Sequence, residues 1–168
     1  MKIVLSYNGV SMKDNVDGID DLKFDDHYLI MICGSRSIDN SEYVEKILKR
    51  ALLDRKDLVT YKDILIVEGG ASGVDRNAKQ VAEKLKFPWL EIPADWNNLD
   101  VPGAVIKNNK WGRPYNVKAG FTRNEVMVKI SDLVIILHDG KSKGTLHDYN
   151  LCKSLHKDYE YYNFGQEV

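Results

Sequence analysis

The stretch Tyr28–Ser37 reads YLIMICGSRS, and the prediction of the fold starts from it. Its first part, up to Cys33, is a continuous apolar run of the kind expected in a β-strand that is buried on both faces. The glycine and polar residues that follow predict a turn. The next segment, Ser41–Asp54, places its apolar residues on one stripe of a helix. A buried strand that leads through a glycine turn into an amphipathic helix is typical of a parallel α/β sheet.

The same alternation continues as far as residue 164. It predicts an α/β fold with a mostly parallel sheet, right-handed crossovers and helices on both faces. The further predicted strands are 64–67, 88–92, 132–137 and 159–164, and the further predicted helices are 74–85, 119–130 and 145–155. The last of these strands is rich in tyrosine and alternates as an edge strand does.

The first 27 residues differ from this pattern. Lys2–Tyr7 and Val10–Lys13 are strand-like, and Asn8-Gly9 between them is a type I′ turn signal, so the sequence predicts a β-hairpin. An acidic stretch follows, which we interpret as a solvated linker. The predicted organisation is therefore an N-terminal hairpin and linker at residues 1–27, followed by one domain at residues 28–168.

Composition excludes several classes of protein. The chain of 168 residues is 43% hydrophobic and has a net charge of -1, which is an ordinary globular balance. No apolar run approaches the length of a membrane helix, and the first residues do not form a signal peptide. Cys33 and Cys152 are expected to be reduced, buried thiols of a cytoplasmic protein. The histidines and cysteines have no metal-ligand spacing, so we expect neither a metal ion nor a cofactor.

Glycine-bearing polar loops follow three of the predicted strands, at Gly34–Arg36, Gly69–Gly73 and Asp139–Thr145. In an open α/β sheet these loops meet at the carboxyl edge of the strands, where ligands bind. Glycine lets backbone N–H groups approach an oxyanion, and the following helix N-terminus adds partial positive charge. Three such loops at one edge favour a ligand that carries phosphate. The standard P-loop and GxGxxG patterns are both absent.

The motifs occur in an order that resembles the YspA-like branch of the SLOG superfamily, which is named for the DprA/SMF and LOG proteins. The motifs are GSRS (34–37), VEGGASGVD (67–75), IPADW (92–96), AGFTRNEVM (119–127) and SDLVIILHDGKSKGT (131–145). The resemblance covers most of residues 28–164 and implies a Rossmann-like three-layer fold with a pocket for nucleotides or nucleotide-derived ligands. Residues 97–118 are longer than the family pattern.

The resemblance also implies a possible reaction. LOG-type phosphoribohydrolases cleave the N-glycosidic bond of nucleoside 5'-monophosphates with an arginine ahead of a methionine and a glutamate in a Gly-Gly-x-Gly-Thr-x-x-Glu motif. Arg123 precedes Met127 at the matching spacing, and Asp148 stands where the motif has glutamate. Arg123 and Asp148 are therefore the catalytic residues if the chain is an enzyme. The shorter aspartate leaves hydrolysis open, because a misplaced catalytic group can cost about 10²-fold in rate per ångström.

The candidate ligand-binding residues come from the loops and from the helix that follows the long segment. Arg36 and Arg123 are candidates for phosphate, and Trp96 is a candidate for stacking on a base, although it could equally cover the core. The full set is Gly34, Ser35, Arg36, Gly69, Gly70, Ala71, Ser72, Gly73, Asp75, Asp95, Trp96, Arg123, Asn124, Asp139, Gly140, Ser142, Gly144 and Thr145. His138 is expected to be a structural histidine. Residues 97–118 mix basic and aromatic side chains, which could contact single-stranded nucleic acid or form a solvated loop. We interpret them as a lid over an anionic ligand.

The sequence leads to three functional hypotheses. The first is a protein that senses or sequesters a nucleotide-derived, phosphate-bearing small molecule, such as an ADP-ribose-type ligand. The second is a nucleotide N-glycosidase. The third, DprA-like binding of single-stranded DNA, ranks last because of the net charge of -1, and we do not expect nucleic acid or a membrane as a partner. A homodimer or larger homo-oligomer is left open.

Overall fold

The structure is a computed structural model that describes residues 1–7, 10–15, 24, 26–57, 60, 63–165 and 167–168. Within them, strands and helices alternate from residue 28 onward as the sequence predicts, except for two further short strands in the segment 97–118. The strands are β1 (Lys2–Tyr7), β2 (Val10–Asn15), β3 (Tyr28–Gly34), β4 (Ile64–Glu68), β5 (Trp89–Glu91), β6 (Ile106–Asn108), β7 (Pro114–Asn116), β8 (Leu133–His138) and β9 (Asp158–Asn163). The helices are α1 (Ser41–Asp54), α2 (Val74–Leu85), α3 (Ala119–Ile130) and α4 (Lys143–Ser154).

Seven of these strands form one sheet in the order β2-β1-β5-β4-β3-β8-β9. The five strands from β5 to β9 in this order are parallel, and β1 and β2 are antiparallel at one edge. The predicted mostly parallel α/β fold is therefore confirmed, with the tyrosine-rich β9 at the other edge. The strand order reverses between β3 and β8, and this switch point is where open α/β sheets bind ligands.

The two faces of the sheet are covered by different helix pairs, which gives three layers. Along β3, Ile30 and Ile32 pack with α1 and α2 in one apolar cluster. Met31 and Cys33, which alternate with them, pack with α3 and α4 in a second cluster. This alternation explains why β3 is apolar at every position, since both of its faces are buried.

The N-terminal hairpin joins the main sheet. β1 pairs with β2 in the predicted hairpin, and it also pairs antiparallel with β5. The predicted turn at Asn8-Gly9 and most of the predicted linker, residues 16–23 and 25, lie outside the described residues. The sequence did not predict the pairing of β1 with β5, because the residues of a short strand do not indicate which strand pairs with its other edge.

The segment 97–118 contains a small hairpin, β6–β7, for which the sequence predicted no strand. The buried side chain of Asn116 holds it in place. Its Oδ1 accepts hydrogen bonds from the backbone N–H groups of Val105 (3.2 Å) and Lys118 (3.1 Å), and its Nδ2 donates to the carbonyl of Asn98 (3.3 Å).

Helix α4 begins two residues earlier than predicted. The Oγ of Ser142 accepts a hydrogen bond from the backbone N–H of Thr145 at 3.3 Å and so caps the helix. Lys143 and Gly144 consequently lie in its first turn. Among the described residues, no helix has both the length and the apolar character needed to cross a bilayer.

Candidate functional site

A cavity of about 360 Å³ opens at the switch point, beyond the carboxyl ends of β3 and β8. The N-terminal residues of α2, α3 and α4 contribute to its wall, so three helix N-termini meet there. Each adds partial positive charge, of about half an elementary charge. Two arginines and two aspartates also line the cavity. Because these formal charges balance, the helix N-termini supply the net attraction for an anion.

The structure brings eleven of the predicted residues together in the wall of this cavity. They are Gly34, Arg36, Ala71, Asp75, Trp96, Arg123, Asn124, Asp139, Ser142, Gly144 and Thr145. Other predicted residues do not line it, namely Ser35, Gly69, Gly70, Ser72, Gly73, Asp95, Gly140 and Asp148. The wall also includes residues outside the prediction, which are Cys33, Ser37, Val117, Gly120 and Phe121. Ser37, Gly120 and Phe121 lie within the quoted motifs, and Cys33 and Val117 lie close to them, which is the sequence signal that could have indicated them.

The glycine loop after β4 uses its amides within the protein. The Oδ2 of Asp75 accepts hydrogen bonds from the backbone N–H groups of Gly69 (3.2 Å) and Ala71 (3.4 Å). The Oε2 of Glu68 accepts one from the backbone N–H of Gly70 at 2.5 Å. Side-chain carboxyl groups of the chain therefore occupy three of the loop amides that the sequence suggested as donors for phosphate.

Arg123 stabilises the same loop from the other side. Its Nη1 donates to the carbonyls of Gly69 and Ile92, the latter at 3.1 Å, and its Nε donates to Oδ1 of Asn124 at 2.6 Å. The side chain lines the cavity, yet the residue is only 8% exposed. Burial lowers the pKa of the guanidinium, and the carboxylate of Asp75 opposes that shift. Arg123 thus has a structural role in addition to any contact with a ligand.

Asp148 lies behind this layer and is 2% exposed. The Nδ2 of Asn124 donates to both of its carboxylate oxygens, at 2.8 and 3.0 Å. Burial raises the pKa of Asp148 to about 7, although the hydrogen bonds from Asn124 and Cys33 lower it. Burial also raises the pKa of the Cys33 thiol far above its usual range. Asn124, rather than Asp148, faces the cavity.

The N-terminus of α4 is the part of the wall best suited to an anion. The Oγ of Ser142 accepts two hydrogen bonds from Thr145, one from its backbone N–H at 3.3 Å and one from its Oγ1 at 3.0 Å. The O–H of Ser142 is left as a donor. A Cβ added at Gly144 would meet no atom within 4 Å. The first-turn N–H groups of Lys143 and Gly144 have no carbonyl within the helix to bond. This end of α4 therefore offers donors and room together.

The loop before α4 is fixed by Asp139. Its Oδ1 accepts from the backbone N–H groups of Lys141 (2.9 Å) and Ser142 (2.8 Å), and its Oδ2 accepts from the Oγ of Ser37 (2.6 Å). These bonds, that from Ser37 above all, hold the pKa of Asp139 well below its usual range. The buried Oγ of Ser35 accepts from the N–H of Asp139 at 3.0 Å. Ser35 and Ser37 thus join the loops after β3 and β8.

Aromatic rings form the outer rim of the cavity. The guanidinium carbon of Arg36 lies 5.9 Å from the ring centroid of Trp96, and Trp96 meets Tyr115 edge to face at 6.3 Å. A Cβ at Gly120 would lie 2.8 Å from the Trp96 ring, so glycine lets α3 approach it. Phe121 is 40% exposed. Arg36 is the exposed arginine of the cavity wall.

Two buried polar groups lie close to the site without lining it. His138 bonds Tyr161 Oη (2.6 Å) through Nδ1 and the carbonyl of Ser142 (3.0 Å) through Nε2, which fits the expected structural role. Glu68 is fully buried, and its Oε1 has no hydrogen-bond partner. Burial raises its pKa, and the neighbouring carboxylate of Glu91 raises it further. Glu68 could not be singled out from the sequence, because a single glutamate at a strand end is usually exposed.

The described residues contain no group of three or more His, Cys, Asp or Glu side chains arranged to hold a metal ion. They do contain a basic segment beside the cavity. No acidic residue occurs between Asp100 and Glu125, whereas four exposed cations lie in that interval. These are Lys107, Lys110, Arg113 and Lys118.

Comparisons with models of protein families and with curated proteins gave no match. Among solved structures, the chain is similar to DNA processing protein A from Helicobacter pylori, with 20% identity over 86% of this chain and 68% of that chain and a TM-score of 0.48. The likeness concerns the fold alone. Membership of the superfamily and of its YspA-like branch both stay predictions.

The matched protein binds single-stranded DNA, and this finding conflicts with the expectation that nucleic acid is not a partner of this chain. We correct that expectation. It relied on the net charge of -1, which averages over the whole surface. A basic segment such as residues 101–124 can present local positive charge on a protein of balanced composition.

Proposed function

We propose that the chain binds a nucleotide-derived, phosphate-bearing small molecule, such as an ADP-ribose-type ligand, and senses or sequesters it without cleaving it. The observation that carries this proposal is the open N-terminus of α4 in the wall of the cavity at the switch point. Its amides and the O–H of Ser142 are donors for phosphate oxygens, and the dipole of α4 favours their negative charge. The exposed guanidinium of Arg36 adds a full positive charge in the same cavity.

The position of Asp148 favours binding over hydrolysis. A glycosidase carboxylate has to reach the ribose or the attacking water. Asp148 is buried, is held by both hydrogen bonds from Asn124 and does not line the cavity. The phosphoribohydrolase hypothesis would need Asn124 to move aside before Asp148 could reach a ligand.

Calorimetric titration with ADP-ribose, AMP and ribose 5-phosphate tests the proposal, with mass spectrometry of each ligand after incubation. We expect at least one of these compounds to bind and to be recovered whole. Release of free base and ribose 5-phosphate from AMP would show an enzyme instead. In that case Asp148→Asn should retain binding and stop the release. Failure of all three probes to bind would overturn the proposed function.

Two substitutions locate the phosphate site. Gly144→Val should abolish binding, because its side chain enters open space beside the first-turn amides of α4. Arg36→Gln should weaken binding by about 1.5–3 kcal/mol, the usual contribution of a charged hydrogen bond. Arg50→Gln is the matched control, since Arg50 is an exposed arginine of α1 that does not line the cavity. Arg123→Ala is a poor test, because Arg123 also holds the loop after β4.

A second candidate function is binding of single-stranded nucleic acid, and the β6–β7 hairpin favours it. Trp111 is 73% exposed, and the Nζ of Lys110 lies 4.3 Å from its ring centroid. Exposed aromatic rings among cations are the usual platform for stacked bases. Titration with oligothymidylate should quench the fluorescence of Trp111. This quenching should become weaker as the salt concentration increases. The quenching should disappear in Trp111→Ala and persist in Trp89→Phe, which changes a buried tryptophan. Equal loss in both variants would contradict this function.

A further inference from the structure

A second cavity, of about 290 Å³, lies beside the first. One wall comes from the insertion, at residues 101–104 and at Lys118, and the other comes from α3 and α4, including Glu125 and His147. Phe121 lines both cavities and is the residue they share.

The ring of Phe121 has a free surface at this boundary. It meets the imidazole of His147 edge to face, with centroids 4.8 Å apart, yet the residue remains 40% exposed. Phe121 lies in the first turn of α3, where a smaller or polar side chain would expose less apolar surface to water. An exposed ring that is held from one side presents apolar area to a planar group.

The charges of the second cavity differ from those required for phosphate. Its ionisable side chains besides His147 are Lys118 and Glu125, which are of opposite sign. Glu125 also pairs with Lys129 at 2.6 Å. A second phosphate group would therefore meet a carboxylate and no excess of positive charge. A neutral heterocycle suits these walls better.

We propose that the second cavity is the subsite for the planar heterocycle of a two-part ligand whose phosphate occupies the first cavity. This inference rests on the proposed function and extends it, because it makes Phe121 a residue that determines specificity. Each cavity is near the lower limit of the about 300–1,000 Å³ usual for ligand sites. A ligand with a base at one end and phosphate in the middle, of the ADP-ribose type, would use both cavities.

The experiment compares the affinities of ADP-ribose and ribose 5-phosphate by calorimetry. In Phe121→Ala, the affinity for ADP-ribose should fall about tenfold, as expected when a stacked base loses its aromatic partner. The affinity for ribose 5-phosphate should fall less, because Phe121 also borders the first cavity but this ligand has no base to stack on the ring. Leu53→Ala is the control, because Leu53 is an exposed apolar residue of α1 that lines neither cavity.

A second variant fills the cavity from another position. Thr122 is exposed and lines the second cavity. Thr122→Trp should therefore also lower the affinity for ADP-ribose and leave the affinity for ribose 5-phosphate unchanged. Unchanged ADP-ribose affinity in both variants, or an equal loss for the two ligands, would overturn the subsite and leave the proposed function in place. Failure of the wild-type chain to bind ADP-ribose, ribose 5-phosphate and AMP would overturn both proposals.

Discussion

At the scale of single residues, the site depends on buried carboxylates of the chain itself. Glu68 and Glu91 are direct partners in the parallel pair β4–β5, and Glu68 also accepts from the N–H of Gly70. A buried carboxyl group beside a second carboxylate is stable only when one of the two holds a proton. Protonated Glu68 can therefore hold the loop after β4 without placing an isolated charge in the core.

This arrangement predicts a pH dependence of stability. The folded-state pKa of Glu68 is raised above its unfolded value of about 4.3. The contribution of the protonated group to the free energy of unfolding is therefore fully present below that value and is lost as pH rises through the folded-state pKa. Glu68→Gln keeps an acceptor for Gly70 and removes the ionisation. Relative to wild type, the free energy of unfolding of Glu68→Gln should rise by at most about 1.4 kcal/mol for each pH unit between the unfolded-state and the folded-state pKa of Glu68. Urea unfolding between mildly acid and alkaline pH measures this, and parallel curves for the two proteins would contradict it.

A pair of glycine substitutions separates structural from ligand-facing loops. A Cβ at Gly69 would collide with the guanidinium of Arg123 and lie 2.8 Å from Oδ2 of Asp75, whereas a Cβ at Gly144 meets open space. Gly69→Ala should lower the free energy of unfolding by about 1–3 kcal/mol, as overpacking does. Gly144→Ala should leave it unchanged or raise it by up to about 1 kcal/mol, because alanine favours a helix. Equal thermal unfolding of the two variants would show that the loops do not differ in this way.

At the scale of elements, the side chain of Asn116 makes three hydrogen bonds to the backbone of the insertion. Asn116→Ala should lower the free energy of unfolding by about 1–2 kcal/mol, because backbone amides of the segment lose an acceptor that water only partly replaces. Hydrogen exchange should accelerate within residues 97–118 and stay unchanged in α1. Asn108→Ala is a matched control, because Asn108 is an exposed asparagine of β6 in the same hairpin. Uniform acceleration along the chain would mean that Asn116 stabilises the whole fold.

The lid interpretation of this insertion remains a prediction at the same scale. Val117 belongs to the wall of the first cavity, and residues 101–104 form one wall of the second. A ligand that fills either cavity should therefore slow hydrogen exchange in residues 97–118. Unchanged exchange with saturating ADP-ribose would identify the segment as a passive loop.

At the scale of the whole molecule, the N-terminal hairpin covers the edge of the parallel sheet. β1 pairs with β5, and Trp89 of β5 is only 4% exposed. Removal of residues 1–15 should lower the urea midpoint and promote association, because an uncovered edge strand offers unpaired N–H and C=O groups. Lys2→Gln, at an exposed position of β1, serves as the control. An unchanged midpoint would instead support the hairpin as a separate appendage to the domain of residues 28–168.

The sequence by itself determined the α/β alternation and the predicted strands and helices from residue 28 onward. Apolar runs and helical stripes are local patterns, and they indicate directly whether one or both faces of a strand or helix are buried. It also indicated the edge of the sheet at which Gly34, Arg36 and Gly144 meet, because parallel strands bring their following loops to one side. The boundaries of α4 and the hairpin in the insertion depended on side chains that the pattern does not distinguish, namely Ser142 and Asn116.

Only the tertiary structure decided which groups of the site are already satisfied. A glycine loop has the same sequence whether its amides hold a ligand or the carboxylates of Asp75 and Glu68. The pairing of β1 with β5 and the burial of Asp148 behind Asn124 likewise join residues that are far apart in the chain. Such contacts depend on distances in space, on which local periodicity and net charge carry no information.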